Sequence, residues 1–495
     1  MSEQQANAHQ SVTPVGQRPP DHGDDLASMT ASDLQGLLAN GKCSAIDIAE
    51  AVLRRVDICN PKLNALVQVD PDNIRAQARA ADARIASGAR GPLLGVPVSV
   101  KDTLWIKGQI TTAGSDLYRD FVAPEDAPVV ARLRAAGAVL LGASNASEFA
   151  CRGVTENLVY GQTSNPWNTE LTPGGSSGGA ASATAAGMGA LGIGTDAGGS
   201  VRRPASHTGL VGMKPSAGRI AHAGGFDEPV YGHSVVGLMA RSVADITAAM
   251  TVLAGPDMRD PQSVALPAFM PEDTGPRPLR LAFSPRLGRG FAVDPDVAAS
   301  VAQLATALEG LGHQIELRDP VWPDGAEEDS LMPLQFAGLA AIYGARFQAG
   351  SFRPDPDIAR QIEAGLALDA VSVARALELR KALYAALVTL FHDCDLLITP
   401  TTPVTAWPRS LPGPAQIEGR PAGPRGHAAF TPIFNHSYLP ACSVPCGLDK
   451  AGLPIGVQIV GPLQSDARVL ALAAQIETVI AAQGGHDFSG VITPA

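Results

Sequence analysis

Aromatic residues make up only 5% of this 495-residue chain and charged residues 17%. The charged share is below the roughly one quarter of an average domain. The 48 acidic residues outnumber the 37 basic ones, for a net charge of −11, and the lysines and arginines form no block. That excludes nucleic-acid binding by a basic face. There is no uninterrupted apolar run of membrane-spanning length, so no membrane partner is expected. The opening stretch MSEQQANAHQSVTPVGQRPPDHGDD lacks the apolar centre of a secretory signal. Residues 1–25 are therefore expected to be a disordered polar leader, residues 486–495 a tail, and the protein cytoplasmic. The six cysteines (Cys43, Cys59, Cys151, Cys394, Cys442, Cys446) include no CxxC pair. Cys442 and Cys446 find no Cys/His set to complete a metal site, so they read as buried thiols in a reducing compartment. There is no HExxH and no dense carboxylate set, so no metal and no cofactor is expected. A GxSxG elbow is also missing around Ser200.

What the chain does have is glycine and serine, concentrated between Thr172 and Pro204. One cluster runs Gly174-Gly175-Ser176-Ser177-Gly178-Gly179, the other Asp196-Ala197-Gly198-Gly199-Ser200. Glycine lets backbone approach a ligand where a Cβ would clash. Each cluster can therefore hold a serine hydroxyl in an open turn beside bare N–H groups, which suits acyl transfer. One such patch alone would equally fit a flexible linker. Between these two the residues are Ala-rich and then apolar, which is packed structure. A lysine directly after an apolar strand-like run, Lys101 behind Leu93–Val100, is a candidate base, because a desolvated lysine loses its proton near neutrality. A snorkelling lysine at a strand end is the plainer reading, and Lys214 is a rival. His207 is the histidine nearest in sequence to Ser200 and has no evident acidic partner, which argues against a Ser-His-Asp triad. Arg202 with Asp196 reads as a structural ion pair.

Strand and helix signals alternate along the chain. Ser32-Asp33-Leu34-Gln35 has the capping-box pattern and Ser44-Ala45-Ile46-Asp47 an acidic variant. Asn60-Pro61 is expected to stop the helix that follows, and another helix spans Pro71 to Ile85. Pro97 predicts an edge or irregular position for its strand. Residues 145–167 read as a long loop that walls a pocket. A small-residue helix from Ala180 to Ala186 is expected to aim its positive end at Ser176. Residues 256–278 are Pro-rich and cross the surface. Residues 320–370 suit a variable pocket or lid and 408–426 a mobile flap, with a final helix over 466–482. The expected fold is α/β, a central mixed sheet flanked by helices. Residues 26–85 would form a helical layer that covers a sheet edge or contributes to a homodimer contact, and residues 86–255 the catalytic core.

The motifs together resemble the amidase signature family of serine hydrolases. GIGTDAGGSVRRPASHTGLVGMKPSAGRI is similar to its long signature, GVPVSVKD to its lysine segment, and FNHSYLPACSVPCGL and LPIGVQIVGP to its C-terminal blocks. The resemblance spans roughly Leu26 to Ile480. It implies one large domain over 26–485 rather than the several that length allows. It implies Ser200 as nucleophile, Ser176 as a bridging serine after a cis peptide bond, and Lys101 as base in place of Lys214. It also implies oxyanion donors at the N–H groups of Ala197, Gly198, Gly199 and Ser200, and substrate contact at Ala150. The implied activity is hydrolysis of a small-molecule amide, with esters and carbamates open to the same path. The alternatives are the glutamine-hydrolysing subunit of a tRNA-dependent amidotransferase, whose corresponding block the stretch HAGGFDEPVYGHS does not resemble, and a noncatalytic binding or assembly relative.

Overall fold

The computed structural model describes residues 26–272, 277–423 and 425–484; the expected leader and tail lie outside them. Chain entry is helical: α1 (Ala31–Ala39) and α2 (Ala45–Leu63) precede a short strand, β1 (Leu66–Gln68), and α3 (Pro71–Ala86). The cap of α1 is Thr30, whose hydroxyl accepts from Asp33 N–H at 3.1 Å. Ser32, expected to cap, instead donates to Asp245 at 2.8 Å. The Ser44–Asp47 capping box is present as read. Helix α2 does not stop at Asn60-Pro61. It runs on to Leu63 and ends at Asn64 in the left-handed region. The side chain of Asn60 accepts from the N–H groups of Ala65 and Leu66, which holds the chain just past the helix end.

Next come β2 (Pro97–Lys101), α4 (Pro128–Ala136), β3 (Val139–Ser144) and a small hairpin of β4 (Glu156–Asn157) and β5 (Gly161–Gln162). The glycine-rich region supplies α5 (Gly178–Ala185), β6 (Leu191–Asp196), α6 (Arg202–Thr208) and β7 (Val211–Lys214). After them follow β8 (Val235–Ala240), α7 (Val243–Leu253), β9 (Arg280–Phe283), α8 (Pro295–Gly310) and β10 (Gln314–Leu317). Three helices then run consecutively: α9 (Met332–Gln348), α10 (Pro356–Leu366) and α11 (Ala370–Asp393). The chain closes with β11 (Leu396–Pro400), a hairpin of β12 (Gln416–Ile417) and β13 (Arg420–Pro421), then α12 (Pro432–His436), β14 (Ala441–Leu448), β15 (Pro454–Val460) and α13 (Asp466–Ala482).

Eleven strands form one mixed sheet in the order β1-β3-β2-β6-β8-β7-β14-β15-β11-β9-β10. Helices flank it, and one large apolar cluster runs from Leu26 to Ile480. β2 is an interior strand, parallel to both β3 and β6 and buried throughout, so of the edge or irregular position expected from Pro97 only the irregular one is found, as a register shift against β3 between Val98 and Ser99. Proline is tolerated there because it is the strand's first residue, and its carbonyl still accepts from Ala190 N–H at 3.0 Å. The N-terminal layer does more than cover an edge, since its β1 is the edge strand, antiparallel to β3. The parallel β2–β6 pair brings the carboxyl ends of two distant segments side by side, at Lys101 and at Thr195-Asp196.

Candidate active site

Lys101 is the last residue of β2 and is fully buried. Its Nζ donates to Ser176 Oγ at 2.7 Å and to Thr195 Oγ1 at 2.9 Å, with Thr195 O farther off at 3.4 Å. Burial pushes the amine down from 10.5 to about 7. Glu228, Asp196 and Cys151 pull the other way, and Arg203 reinforces the drop. Near neutrality a substantial fraction of Lys101 is therefore an unprotonated amine. Thr195, its second side-chain partner, carries no motif that marks it. The only signal for it is its place one residue before Asp196, at the end of the adjoining strand. Lys214 is equally buried and is also pushed down to about 7 by burial. Its Nζ, however, donates to its neighbour Pro215 O, and it does not line the cavity at Ser200.

The peptide bond between Gly175 and Ser176 is cis. Ser177 N–H donates to Ser200 O at 3.1 Å, and Ser177 Oγ to Thr195 O at 3.2 Å. The two glycine-serine clusters are thus fastened to each other and to the end of β6. Helix α5 begins two residues past Ser176, but its first N–H groups are already taken: Gly178 donates to Thr155 Oγ1 and Gly179 to Asn145 O.

Ser176, Ser200, Ala150, Ala197 and Gly198 line one cavity. Ser200 is 5% exposed and Ser176 fully buried. Of the expected oxyanion donors, the N–H groups of Ala197, Gly198 and Ser200 donate to nothing among the described residues. The N–H of Gly199 is committed to Asp196 Oδ1 at 2.7 Å, so it is not a free donor in this state. Glycine is required at this position. Gly199 has φ +105°, and a Cβ would come within 2.1 Å of Thr431 Oγ1. Ala150 and the preceding Phe149 both sit at positive φ, and Phe149 stacks on Tyr343 of α9 at 3.9 Å.

Asp196 organises the turn that carries Ser200. Its carboxylate accepts from the N–H groups of Gly199 and Val201 and from two nitrogens of Arg202, at 3.0 and 2.9 Å. Burial pushes the Asp196 carboxyl up, but the charge and hydrogen bonds of Arg202 outweigh it and hold the group below the ordinary carboxylate range. Both side chains are 0% exposed. Arg202 is further tied to Gln458, Asn435 and Thr431 O. Breaking a buried pair by removing one partner strands the other charge, at a cost of about 3–5 kcal/mol. Asp196→Asn is expected to lower the unfolding free energy by that order in chemical denaturation. A loss below about 1 kcal/mol would show that the pair does not hold the turn.

His207 is buried, with burial pushing it down to about 3, and its ring packs edge-on against Trp407 at 5.3 Å. Neither of its nitrogens has a hydrogen-bond partner among the described residues, in keeping with a packing role. His427 lines the cavity and is held neutral by burial. All six cysteines are free; five are buried, and Cys151 reaches the cavity wall. Among the described residues no cluster of His, Cys, Asp and Glu could hold a metal ion, and no helix is long and apolar enough to cross a membrane.

Part of the cavity wall comes from elements that carry no motif. Gln335 of α9 and Glu228, Pro229 and Val230 from the loop before β8 line it. Beyond Gly153 and Arg425 it continues into an outer cleft. Residues 409–414, in the stretch expected to form a flap, line that cleft together with Met332 and Phe336 from the region expected to form a lid. Glu148 is buried behind the wall, accepting from Ser115 Oγ and from Asp355 N–H, both at 2.6 Å. Arg152 reaches Asp355 at 2.7 Å. The α9–α10 unit is thus latched to residues 148–152.

The family model described as Amidase matches residues 47–470. Among curated proteins, the chain is 36% identical over 488 residues to a glutamyl-tRNA(Gln) amidotransferase subunit from Synechococcus sp. (strain CC9605), covering 92% of this chain and 96% of that one. It is 36% identical over 467 residues to an acylamidase of Rhodococcus erythropolis, with the same coverage. Among solved structures, a bacterial aryl acylamidase of the amidase signature family superposes with a TM-score of 0.86 at 28% identity, covering 95% of this chain and all of that one.

Proposed function

The chain belongs to the amidase signature family, and on that premise we propose that it hydrolyses carboxylic amides through an acyl-enzyme on Ser200. The observation that carries this is the buried Lys101 amine, 2.7 Å from Ser176 Oγ, in a site whose cavity also receives Ser200. Neutral Lys101 takes the hydroxyl proton of Ser176 as Ser176 takes that of Ser200. Ser200 Oγ then bonds to the carbonyl carbon, and the oxygen that becomes negative is received by the N–H groups of Ala197 and Gly198. Such donors contribute most where charge develops; losing one typically costs about a hundredfold or more in rate. The C–N bond breaks as the relay returns the proton to the leaving nitrogen. Water, deprotonated through the same chain, releases the acid and restores Ser200. Esters and carbamates would follow the same path.

The acylamidase relative supports an enzyme acting on its own. The relative named as an amidotransferase subunit supports a second reading, in which glutamine is the amide and partner subunits receive the ammonia. One panel separates them: aryl, aliphatic and peptide amides, a carbamate, and glutamine, assayed with the chain alone. We expect turnover of an aryl or aliphatic amide at least about tenfold above that of glutamine, in kcat/KM. Preference for glutamine, with partner proteins copurifying, would replace the first reading with the second.

A further inference from the structure

Gln335 of α9 lines the cavity that contains Ser200. Its orientation is fixed by neighbours that can only accept. Gln361 of α10 directs its Nε2 to Asp357 Oδ2 at 3.0 Å and toward Cys151 O at 3.4 Å. A carboxylate and a backbone carbonyl oxygen have no hydrogen to give, so this end of Gln361 must be its NH2 group. The other end, Oε1, therefore faces Gln335 and must receive a donor. Gln335 Nε2 supplies it at 2.6 Å. The chain of amides leaves Gln335 Oε1 as an acceptor with no partner among the described residues, on a residue of the cavity wall.

A secondary amide bound for attack offers two polar groups. Its carbonyl oxygen is drawn to the N–H groups of Ala197 and Gly198. Its N–H needs an acceptor, because a polar group that leaves water without a partner costs free energy. We propose that Gln335 is a specificity-determining residue whose Oε1 accepts the scissile N–H, selecting amides, and carbamates cleaved at their C–N bond, over esters. This rests on the hydrolase reading above. An ester places an oxygen lone pair where the amide has N–H, so Gln335 opposes it. The other carboxyl or amide side chain of the cavity wall, Glu228, already faces His222 Nε2 at 3.4 Å.

The test uses two substrates that share their acyl and aryl groups, 4-nitroacetanilide and 4-nitrophenyl acetate, with the full chain. The readout is the ratio of kcat/KM for anilide to that for ester. Gln335→Met, similar in length and without an amide oxygen, is expected to lower this ratio by about tenfold to a hundredfold. Gln335→Glu keeps an acceptor and is expected to hold the ratio above that of the Met variant. Gln361→Met, which frees Gln335 to rotate, is expected to lower it in part. A merely structural role would depress both substrates together and leave the ratio where it was. An unmoved ratio in Gln335→Met would overturn the proposal, as would a fall of the same size in Glu228→Gln alone. Turnover of neither substrate by the wild-type chain would overturn the amidase reading itself.

Discussion

Ser200→Ala is expected to lower amide turnover by at least about a thousandfold, the order seen when a nucleophile is removed from a linked catalytic set. It should also abolish labelling by a fluorophosphonate, mapped by mass spectrometry. The geometry makes this a real choice between two serines. Lys101 touches Ser176 directly, while no hydrogen bond joins the hydroxyls of Ser176 and Ser200. A simple serine–lysine pair with Ser176 as nucleophile is therefore the competing arrangement. Two observations favour Ser200. It is the more exposed of the two, and it shares one turn with the unengaged N–H groups of Ala197 and Gly198, where a carbonyl oxygen would sit. Catalytic hydrogen bonds are commonly long before substrate binds, so the open Ser176–Ser200 contact is compatible with a relay that closes on substrate. A phosphonyl adduct found at Ser176 in the Ser200→Ala protein, with turnover retained, would reverse the assignment.

Lys101→Met is expected to cost about a hundredfold to ten-thousandfold in kcat/KM at about pH 8, the range for a positioned acid–base group. The wild-type profile should fall about tenfold per pH unit below a midpoint near 7, because the protonated amine cannot accept from Ser176. The Met variant should lose that limb. Lys214→Met is the control. Its amine is shifted to the same value, yet it faces Pro215 O, so the limb should persist. Both lysines also predict a slope in stability. Each holds its proton less tightly folded than unfolded, so the unfolded chain binds more protons between about 7 and the ordinary 10.5. Stability rises with pH across that window, and either Met variant should show a shallower rise. An unchanged acid limb in Lys101→Met would remove Lys101 from the mechanism.

These expectations are reachable from sequence because the residues behind them lie in short, dense motifs. Ser176, Ser200 and Asp196 stand within one stretch, and the Asp196–Arg202 pair is close along the chain. Lys101 needs the parallel pairing of β2 with β6 to reach Ser176, and only the resemblance of its segment chooses it over Lys214. The departures are local and have local causes. Pro61 and Pro97 signal breaks, but Pro61 falls in the last turn of α2, where it costs one hydrogen bond without ending the helix, and Pro97 is the first residue of its strand. Ser32 fits a cap pattern that Thr30 fulfils two residues earlier. Gly199 sits where a donor to substrate is expected, while its N–H turns back to Asp196. Gln335, Gln361 and the Glu148–Asp355 latch have no motif at all. Glu148 and Asp355 are 207 positions apart, and such pairings follow from how α9 and α10 dock, which no local pattern encodes.

Lys101 and the start of the turn that carries Ser200 stand at the ends of sheet strands, and the cavity walls lie outside the sheet, which bears on how such a site diversifies. Lys101, Thr195 and Asp196 sit on two adjacent buried strands. The surfaces of the cavity and outer cleft come from residues 149–156 and 228–234, from the α9–α10 unit, and from residues 409–423 with Arg425 and His427, four segments far apart in the chain. Insertions or drift in any of these can recut the pocket without moving a reacting atom. Directed evolution toward a new acyl or amine group should therefore accumulate its changes in those four segments. A library confined to β2 and β6 should yield only weakened enzymes.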